Sequence, residues 1–143
     1  MTVELDRERR TELLAATERD TLVALADRCL ARTDPVILQE PEVGMVMMQV
    51  REPVVRERFH LGEVLVTRAA VEIDGERGWA MRLGDDRAAT LAAAICDAVV
   101  ESDGPEAADV LAVCDLSRRT IEADRRRTWA EIAATEVTFE ELD

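Results

Sequence analysis

The chain has 143 residues, of which 48% are hydrophobic and 34% are charged, and its formal net charge is −13. A chain of this length buries roughly two-thirds of the surface that its unfolded form exposes, so one core can hold it without a metal or a disulfide. The acidic balance argues against nucleic acid and anionic membranes as general partners, because both repel a negative surface.

Several residue types that catalysis uses are scarce or missing. The sequence contains no lysine, and its 18 basic residues are all arginines, which excludes a Schiff base and the lysine of a phosphate-binding loop. His60 is the single histidine, which rules out a metal site built on two histidines. Ser102 and Ser117 lie outside any nucleophile-elbow motif. We therefore expect no catalytic residue and no metal site in this chain, and no enzyme activity when it is alone.

The cysteines and the N-terminus indicate where the chain works. Cys29, Cys96 and Cys114 are far apart in sequence, and each lies on an apolar helical stripe, as small core residues of a reducing compartment do. Residues 1–10 are charged, unlike a signal peptide, and the longest apolar run is too short to cross a bilayer. The expected location is the cytoplasm.

Residues 1–34 are predicted to be helical. Apolar residues recur there at three- and four-residue spacing, which indicates helices over 4–16 and 18–31. Thr17, with Asp20 three residues later, resembles a capping box for the second helix. Asp34-Pro35 should end that helix, because the residue before a proline avoids helical torsions.

Residues 36–84 are predicted to form a sheet. A short extended run over 36–39 precedes an apolar run over 43–50, which is typical of a strand covered on both faces. Residues 51–57 form a loop, and the alternation over 59–73 predicts a strand with Leu65, Ala69, Val71 and Ile73 on one face. Asp74-Gly75 predicts a hairpin into a strand over 77–83. Such short connections make the sheet mainly antiparallel.

Residues 86–143 are predicted to be helical, with a short C-terminal tail. Asp85 or Asp86 can cap a helix that runs to about Glu101, and residues 102–105 end it. A second helix passes through Val110 and Ile132, and Phe139 lies in a short tail. Strands grouped between helices predict a single α+β domain over 1–143, with a central antiparallel sheet.

Four charged residues near the sheet are candidates for a binding site. Arg68 shares strand parity with Val64 and Val66, so it lies on a mostly apolar face, where it can bind a phosphate or a partner carboxylate. The alternative is an internal ion pair with Glu42 or Glu63. His60 can act as an acid or base, but about 26 Å of extended strand separates it from Arg68. Without a sharp bend at Gly62 the two cannot share a site, and a structural or interface role for His60 is favoured.

Two further clusters have a functional and a structural interpretation. Five arginines (118, 119, 125, 126 and 127) could meet a triphosphate or an acidic partner, but the interleaved Glu122 and Asp124 favour a solvated, ion-paired helix face. Methionines 45, 47, 48 and 81 could bind a soft metal. No cysteine or histidine accompanies them, so packing in the core or against a partner is favoured.

Four blocks in order resemble one known family. The segment Pro41–Met47 resembles P-E-T-G-L-V-M, Arg58–Val64 resembles a P-F-N-L-G-E block, Val66–Ala69 matches V-T-R-A, and Gly84–Arg87 resembles G-R-D-K or G-R-D-R. Val137–Phe139 is similar to a V-D-F-F ending. Together these blocks resemble the PhnG family of the bacterial carbon–phosphorus lyase system. Val43 replaces the family's usual threonine and Asp85 its arginine, and the loop before Phe59 lacks the family's glycines.

The resemblance implies a role in phosphonate catabolism. Members of this family work with PhnI, PhnH and the ATP-binding-cassette protein PhnL, as the alpha-D-ribose 1-methylphosphonate 5-triphosphate synthase. That complex joins a phosphonate to the ribose of ATP and releases adenine. The core complex holds two copies each of PhnG, PhnH, PhnI and PhnJ, and PhnK is a further partner. ATP is then a substrate of the complex, and this chain binds no cofactor itself. The alternative is a non-catalytic adaptor or dimerisation module outside phosphonate metabolism.

Overall fold

A computed structural model describes residues 5–137 of the chain. In chain order its elements are α1 (Arg7–Ala16), α2 (Arg19–Leu30), β1 (Val36–Arg51), β2 (Arg58–Ile73), β3 (Glu76–Leu83), α3 (Arg87–Glu101) and α4 (Ala107–Ala133). The strands form an antiparallel sheet in the order β1-β2-β3. The predicted α+β class is confirmed. The predicted tail at Phe139 lies outside the described residues.

Carboxylate caps begin three of the helices. The side chain of Asp6 accepts a hydrogen bond from the Arg9 N–H at the start of α1, and that of Asp86 accepts one from the Ala89 N–H at the start of α3. The predicted capping box at Thr17 is wrong. Glu18 caps α2 instead, because Thr17 still belongs to the end of α1, where its hydroxyl donates to a carbonyl of the preceding turn.

The hairpin at Asp74-Gly75 is confirmed. Both residues have positive φ, 52° and 83°, which is the geometry of a two-residue turn whose twist matches that of the strands it joins. The turn fixes the register between β2 and β3, in which Ala69 lies opposite Ala80. Residues of β2 then alternate between a face that meets the helices, called the inner face, and the opposite outer face.

The core lies between the inner face and the helices α1, α2 and α3. Thr67, Ala69, Val71 and Ile73 of β2 are buried there. Five of the ten buried residues of α3 are alanines, so that helix comes very close to β3. A Cβ added at Gly78 would lie 2.6 Å from the Cβ of Ala98. Cys29, Cys96 and Cys114 are all buried in this core, as predicted.

The prediction for the first strand needs two corrections. The segments 36–39 and 43–50 belong to one continuous strand, β1, whose pairing with β2 is irregular between Ile37 and Glu42. That stretch contains Pro41, which cannot donate to a ladder and is tolerated on an edge strand. The strand is also not covered on both faces, since none of its sixteen residues is buried. As an edge strand of the described sheet, β1 packs mainly against β2, so its apolar residues remain accessible.

The exposure continues onto the neighbouring half of β2. Leu65 shares the inner face with Val71, as predicted, but 42% of it is exposed, because the helices cover only the C-terminal half of that strand. Met45 and Met47 of β1 are 54% and 59% exposed. They are not core residues of this chain, which leaves packing against a partner as the favoured interpretation.

Candidate functional site

A bulge at Leu61 decides which candidate residues can act together. Met48 pairs with Gly62 and Gln49 pairs with His60, so Leu61 has no opposite residue in the ladder. Gly62 has a φ of 151°, a torsion that side chains rarely adopt. The extra residue reverses the alternation, because residues that pair across strands share a face. His60 therefore lies on the face opposite to Arg68.

The structure joins only two of the four candidate residues. The Arg68 guanidinium donates to the Glu42 carboxylate with a distance of 3.1 Å from Nη2 to Oε2. The side-chain amide of Gln39 donates to the same oxygen at 3.0 Å. Glu63 pairs with Met47 and so faces the other side of the sheet. The ion pair lies at the surface, with about half of each side chain exposed, so Arg68 can exchange Glu42 for another anion at small cost.

Next to this ion pair lies an apolar groove that the sequence alone did not reveal. Its volume is about 580 Å³, and helix α1 forms one wall with Thr11, Glu12, Ala15 and Ala16. Its floor is the outer face of the sheet, with Val46, Met48, Val64, Val66, Trp79, Met81 and Leu83. A smaller pocket that contains Glu42 and Arg68 shares Val46, Val66 and Met81 with the groove. We call these two pockets together the outer groove.

The sequence did contain a signal for the outer groove. Apolar residues occupy the outward parity of all three strands, where a two-layer α+β domain normally exposes polar side chains to water. In residues 43–50 the apolar character of both faces predicts burial within the chain. Only the register shows that these residues line up across β1, β2 and β3.

The charged groups of the outer groove are few. Besides Arg68 and Glu42, its lining includes Glu12 and Arg82. Arg82 donates to the carbonyl of Leu14 at 2.8 Å, and burial lowers the pKa of its guanidinium. The groove can therefore seat apolar side chains of a partner beside one arginine that is able to hold a carboxylate or phosphate.

The three cysteines are poor nucleophiles. Burial raises the pKa of all three thiols, and it raises that of Cys114 to about 11. The thiol and not the thiolate is therefore present at neutral pH, and thiolate chemistry is suppressed. Within residues 5–137 no group of three or more histidine, cysteine, aspartate or glutamate side chains is arranged to hold a metal ion.

Across the described part of the chain, no helix combines the length and the apolar character needed to cross a membrane.

The fold and the outer groove define an α+β domain that carries an apolar groove on its sheet. A family model described as "Phosphonate metabolism protein PhnG" matches residues 5–142. The chain therefore belongs to the PhnG family. The expectation drawn from the four sequence blocks is confirmed.

A curated relative from Rhizobium meliloti (strain 1021) is also similar to this chain. Its name is "Alpha-D-ribose 1-methylphosphonate 5-triphosphate synthase subunit PhnG", and it is 38% identical over 100 residues. The match covers 69% of this chain and 64% of the relative. The chain thus spans a little under two-thirds of the length of that relative.

Proposed function

We propose that the chain is a non-autonomous subunit of alpha-D-ribose 1-methylphosphonate 5-triphosphate synthase in phosphonate catabolism, working in the cytoplasm. Family membership and the name of the relative from Rhizobium meliloti support this role. The proposed partners are PhnI, PhnH and PhnJ, with the ATP-binding-cassette proteins PhnK and PhnL. ATP and a phosphonate are substrates of the complex, and adenine leaves.

The observation that carries the proposal is the exposed apolar outer groove. Monomeric domains rarely leave a broad apolar face in contact with water, and such a face is typical of an interaction surface. On the opposite, inner face of strand β1, Met45 and Met47 are also more than half exposed. We infer that partner subunits cover β1 and the outer groove.

The chemistry explains why this subunit would not act alone. Displacing adenine from ribose requires a proton for the departing base, stabilisation of positive charge at the sugar, and cations around the triphosphate. The outer groove offers two arginines and two glutamates. Arg68 can supply one cation to a phosphate or pair with a carboxylate of a partner. The main catalytic centre is therefore assigned to a partner, with PhnI as our candidate.

Co-expression with PhnH, PhnI and PhnJ from the same organism tests this role. We expect a tagged chain to elute in an assembly whose mass matches two copies of each subunit. Isolation of the folded chain without these proteins would contradict the proposal and favour an adaptor outside phosphonate metabolism.

The assembled complex then allows Arg68 to be tested. The Arg68–Glu42 pair is exposed, so Arg68→Ala should change the free energy of unfolding by less than about 1 kcal/mol. If Arg68 holds a phosphate, Arg68→Ala should slow adenine release from ATP at least about tenfold, and Arg68→Lys should recover part of the rate. Glu63→Gln, on the other face of the sheet, is the matched control. Equal rates in all three variants and in the unchanged complex would exclude a role for Arg68.

A further inference from the structure

The second half of α4 extends beyond the packed body of the domain. Val110 and Cys114 are its buried residues, and Ile121 packs partly against the core. From Ala123 to the end of α4 every residue is exposed. This stretch, residues 123–133, is about 16 Å long at about 1.5 Å per residue. We call it the α4 extension.

A partly apolar stripe begins at Ile121 and runs along the α4 extension. Ile121, Arg125, Thr128 and Ile132 follow one another at spacings of four, three and four residues, so they share one side of the helix. With Asp124 and Trp129 they line a shallow groove of about 510 Å³. Trp129 is 71% exposed and Ile132 is 53% exposed. The stripe continues the side that packs on the core through Val110 and Cys114, so it has the pattern of a helix that packs along its whole length.

The charge of this region differs from that of the chain. Residues 118–133 contain five arginines and three carboxylates, a formal charge of +2 within a chain of −13. Arg118, Arg119 and Arg127 are ion-paired with carboxylates of α4, as the interleaved sequence predicted. Within residues 5–137, Arg125 makes no ion pair, although it lines the groove. A cation without a partner in an apolar groove favours an anionic group on whatever packs there.

A second copy of the chain, packed in parallel, does not meet this requirement. In a parallel pair of extensions each residue faces its own copy, so the two Arg125 side chains would meet at the seam. Two bodies that each carry a formal charge of −13 also repel one another. The complement of the stripe is instead an amphipathic helix with apolar residues and an acidic residue beside them.

We propose that the α4 extension is a docking site for an acidic amphipathic helix of another subunit. Ile121, Trp129 and Ile132 pack against the apolar side of that helix, and Arg125 pairs with its carboxylate. This surface is separate from the outer groove, so the subunit makes contact at two places. The inference rests on the proposed function for the choice of partner subunits, whereas the chemistry of the stripe does not depend on it.

Photocrosslinking in the co-expressed assembly tests the site. A benzoylphenylalanine at position 132 should crosslink to a partner peptide that contains aspartate or glutamate, and at position 130, on the other side of α4, it should give at least about fivefold less product. Arg125→Glu should reduce the product at least about tenfold, whereas Arg119→Glu, the same change of charge at a residue that does not line the groove, should leave it unchanged. An intact assembly with equal crosslinking at both positions, or with products between two copies of this chain, would overturn the site while leaving the proposed function standing.

A peptide assay on the isolated full chain gives an answer even if no assembly forms. The probes are two labelled helical peptides with identical leucine stripes, one flanked by glutamates and one by lysines. The acidic peptide should bind at least about tenfold more tightly, and Arg125→Glu should reverse that preference. Equal binding of both peptides would refute the proposal. So would tighter binding after deletion of residues 138–143, because the chain's own acidic end would then be the occupant.

Discussion

Asp97 Oδ1 lies 2.7 Å from Arg10 Nη2, and both residues are buried between α1, α3 and the sheet. The second oxygen of Asp97 accepts from the Arg7 guanidinium and from the Trp79 N–H, each at 3.0 Å. Arg10 also donates to Glu101. One carboxylate of α3 therefore ties together the first helix and the edge strand β3, whose Trp79 forms part of the outer groove.

Removal of Asp97 should be strongly destabilising. Asp97→Ala removes two of the three side-chain hydrogen bonds of the buried Arg10 and the acceptor of the Trp79 N–H, so the free energy of unfolding should fall by about 3–5 kcal/mol. Urea unfolding followed by circular dichroism measures this change. Arg9→Ala is the control, because Arg9 pairs with Glu12 at the surface and its loss should cost less than about 1 kcal/mol. A loss below about 1 kcal/mol for Asp97→Ala would show that the buried pair adds little net stability.

Gly78 and Gly44 should respond differently to alanine. At Gly78 a Cβ would collide with the backbone of α3 at Ala94 and Ala98, whereas at Gly44 it meets nothing within 4 Å. Gly78→Ala should therefore destabilise the chain by about 1–3 kcal/mol or more, because α3 must move away from β3. Gly44→Ala should be within about 0.5 kcal/mol of the unchanged chain. Equal melting temperatures for the two variants would contradict the close packing of α3 on β3.

The cap of α3 should contribute to stability in a pH-dependent manner. The hydrogen bond from the Ala89 N–H, helped by the charge of Arg19, lowers the pKa of Asp86 below its ordinary value of 3.8. The unfolded chain then takes up a proton at higher pH than the folded chain does. The stabilisation is complete above the pKa that Asp86 has in the unfolded chain. It is lost as the pH falls through the lower pKa that Asp86 has in the folded chain.

Asp86→Asn should therefore flatten the loss of stability in acid, because asparagine keeps a cap acceptor but cannot titrate. The measurement compares urea midpoints near pH 6 and pH 3. Asp85→Asn makes the same change of charge one residue away, at an exposed side chain that forms no hydrogen bond or ion pair within residues 5–137. That control should keep the acid sensitivity of the unchanged chain. An Asp86→Asn variant with unaltered acid sensitivity would refute the assignment.

The three thiols should react very slowly in the folded protein. Because burial raises the pKa of Cys29, Cys96 and Cys114, a disulfide reagent near pH 8 should label the native chain only as fast as it opens. In denaturing urea all three thiols should react quickly. Fast labelling of even one thiol without denaturant would mean that the core around the cysteines opens much more readily than its burial indicates.

Local sequence signals were sufficient for most elements. Asp86 as a cap, Asp74-Gly75 as a hairpin turn and the proline at 35 each fix a boundary through the backbone torsions and hydrogen bonds of their own neighbourhood. The apolar periodicity of residues 22–30 likewise identified the buried side of α2. These features depend on residues within a few positions of one another, so the α+β order could be predicted before any contact was known.

The site was less predictable from the sequence. An unbroken apolar run such as 43–50 has the same pattern whether its own chain or another protein covers it. The sequence predicts burial of this strand by its own chain. In the structure no residue of β1 is buried, so the predicted burial within the chain is wrong. The sequence also permits Arg68 to pair with either Glu42 or Glu63, because the choice depends on the cross-strand register.

The sequence by itself determined the family, the helical and strand segments, and the scarcity of residue types that catalysis uses. Each of these follows from residue identity and short-range spacing. The tertiary structure alone decided which apolar residues remain exposed and which charged residues meet. A single bulged residue at Leu61 places His60 and Arg68 on opposite faces, and the end of the packed body leaves the α4 extension uncovered. Both outcomes depend on contacts between distant segments, which no local pattern encodes.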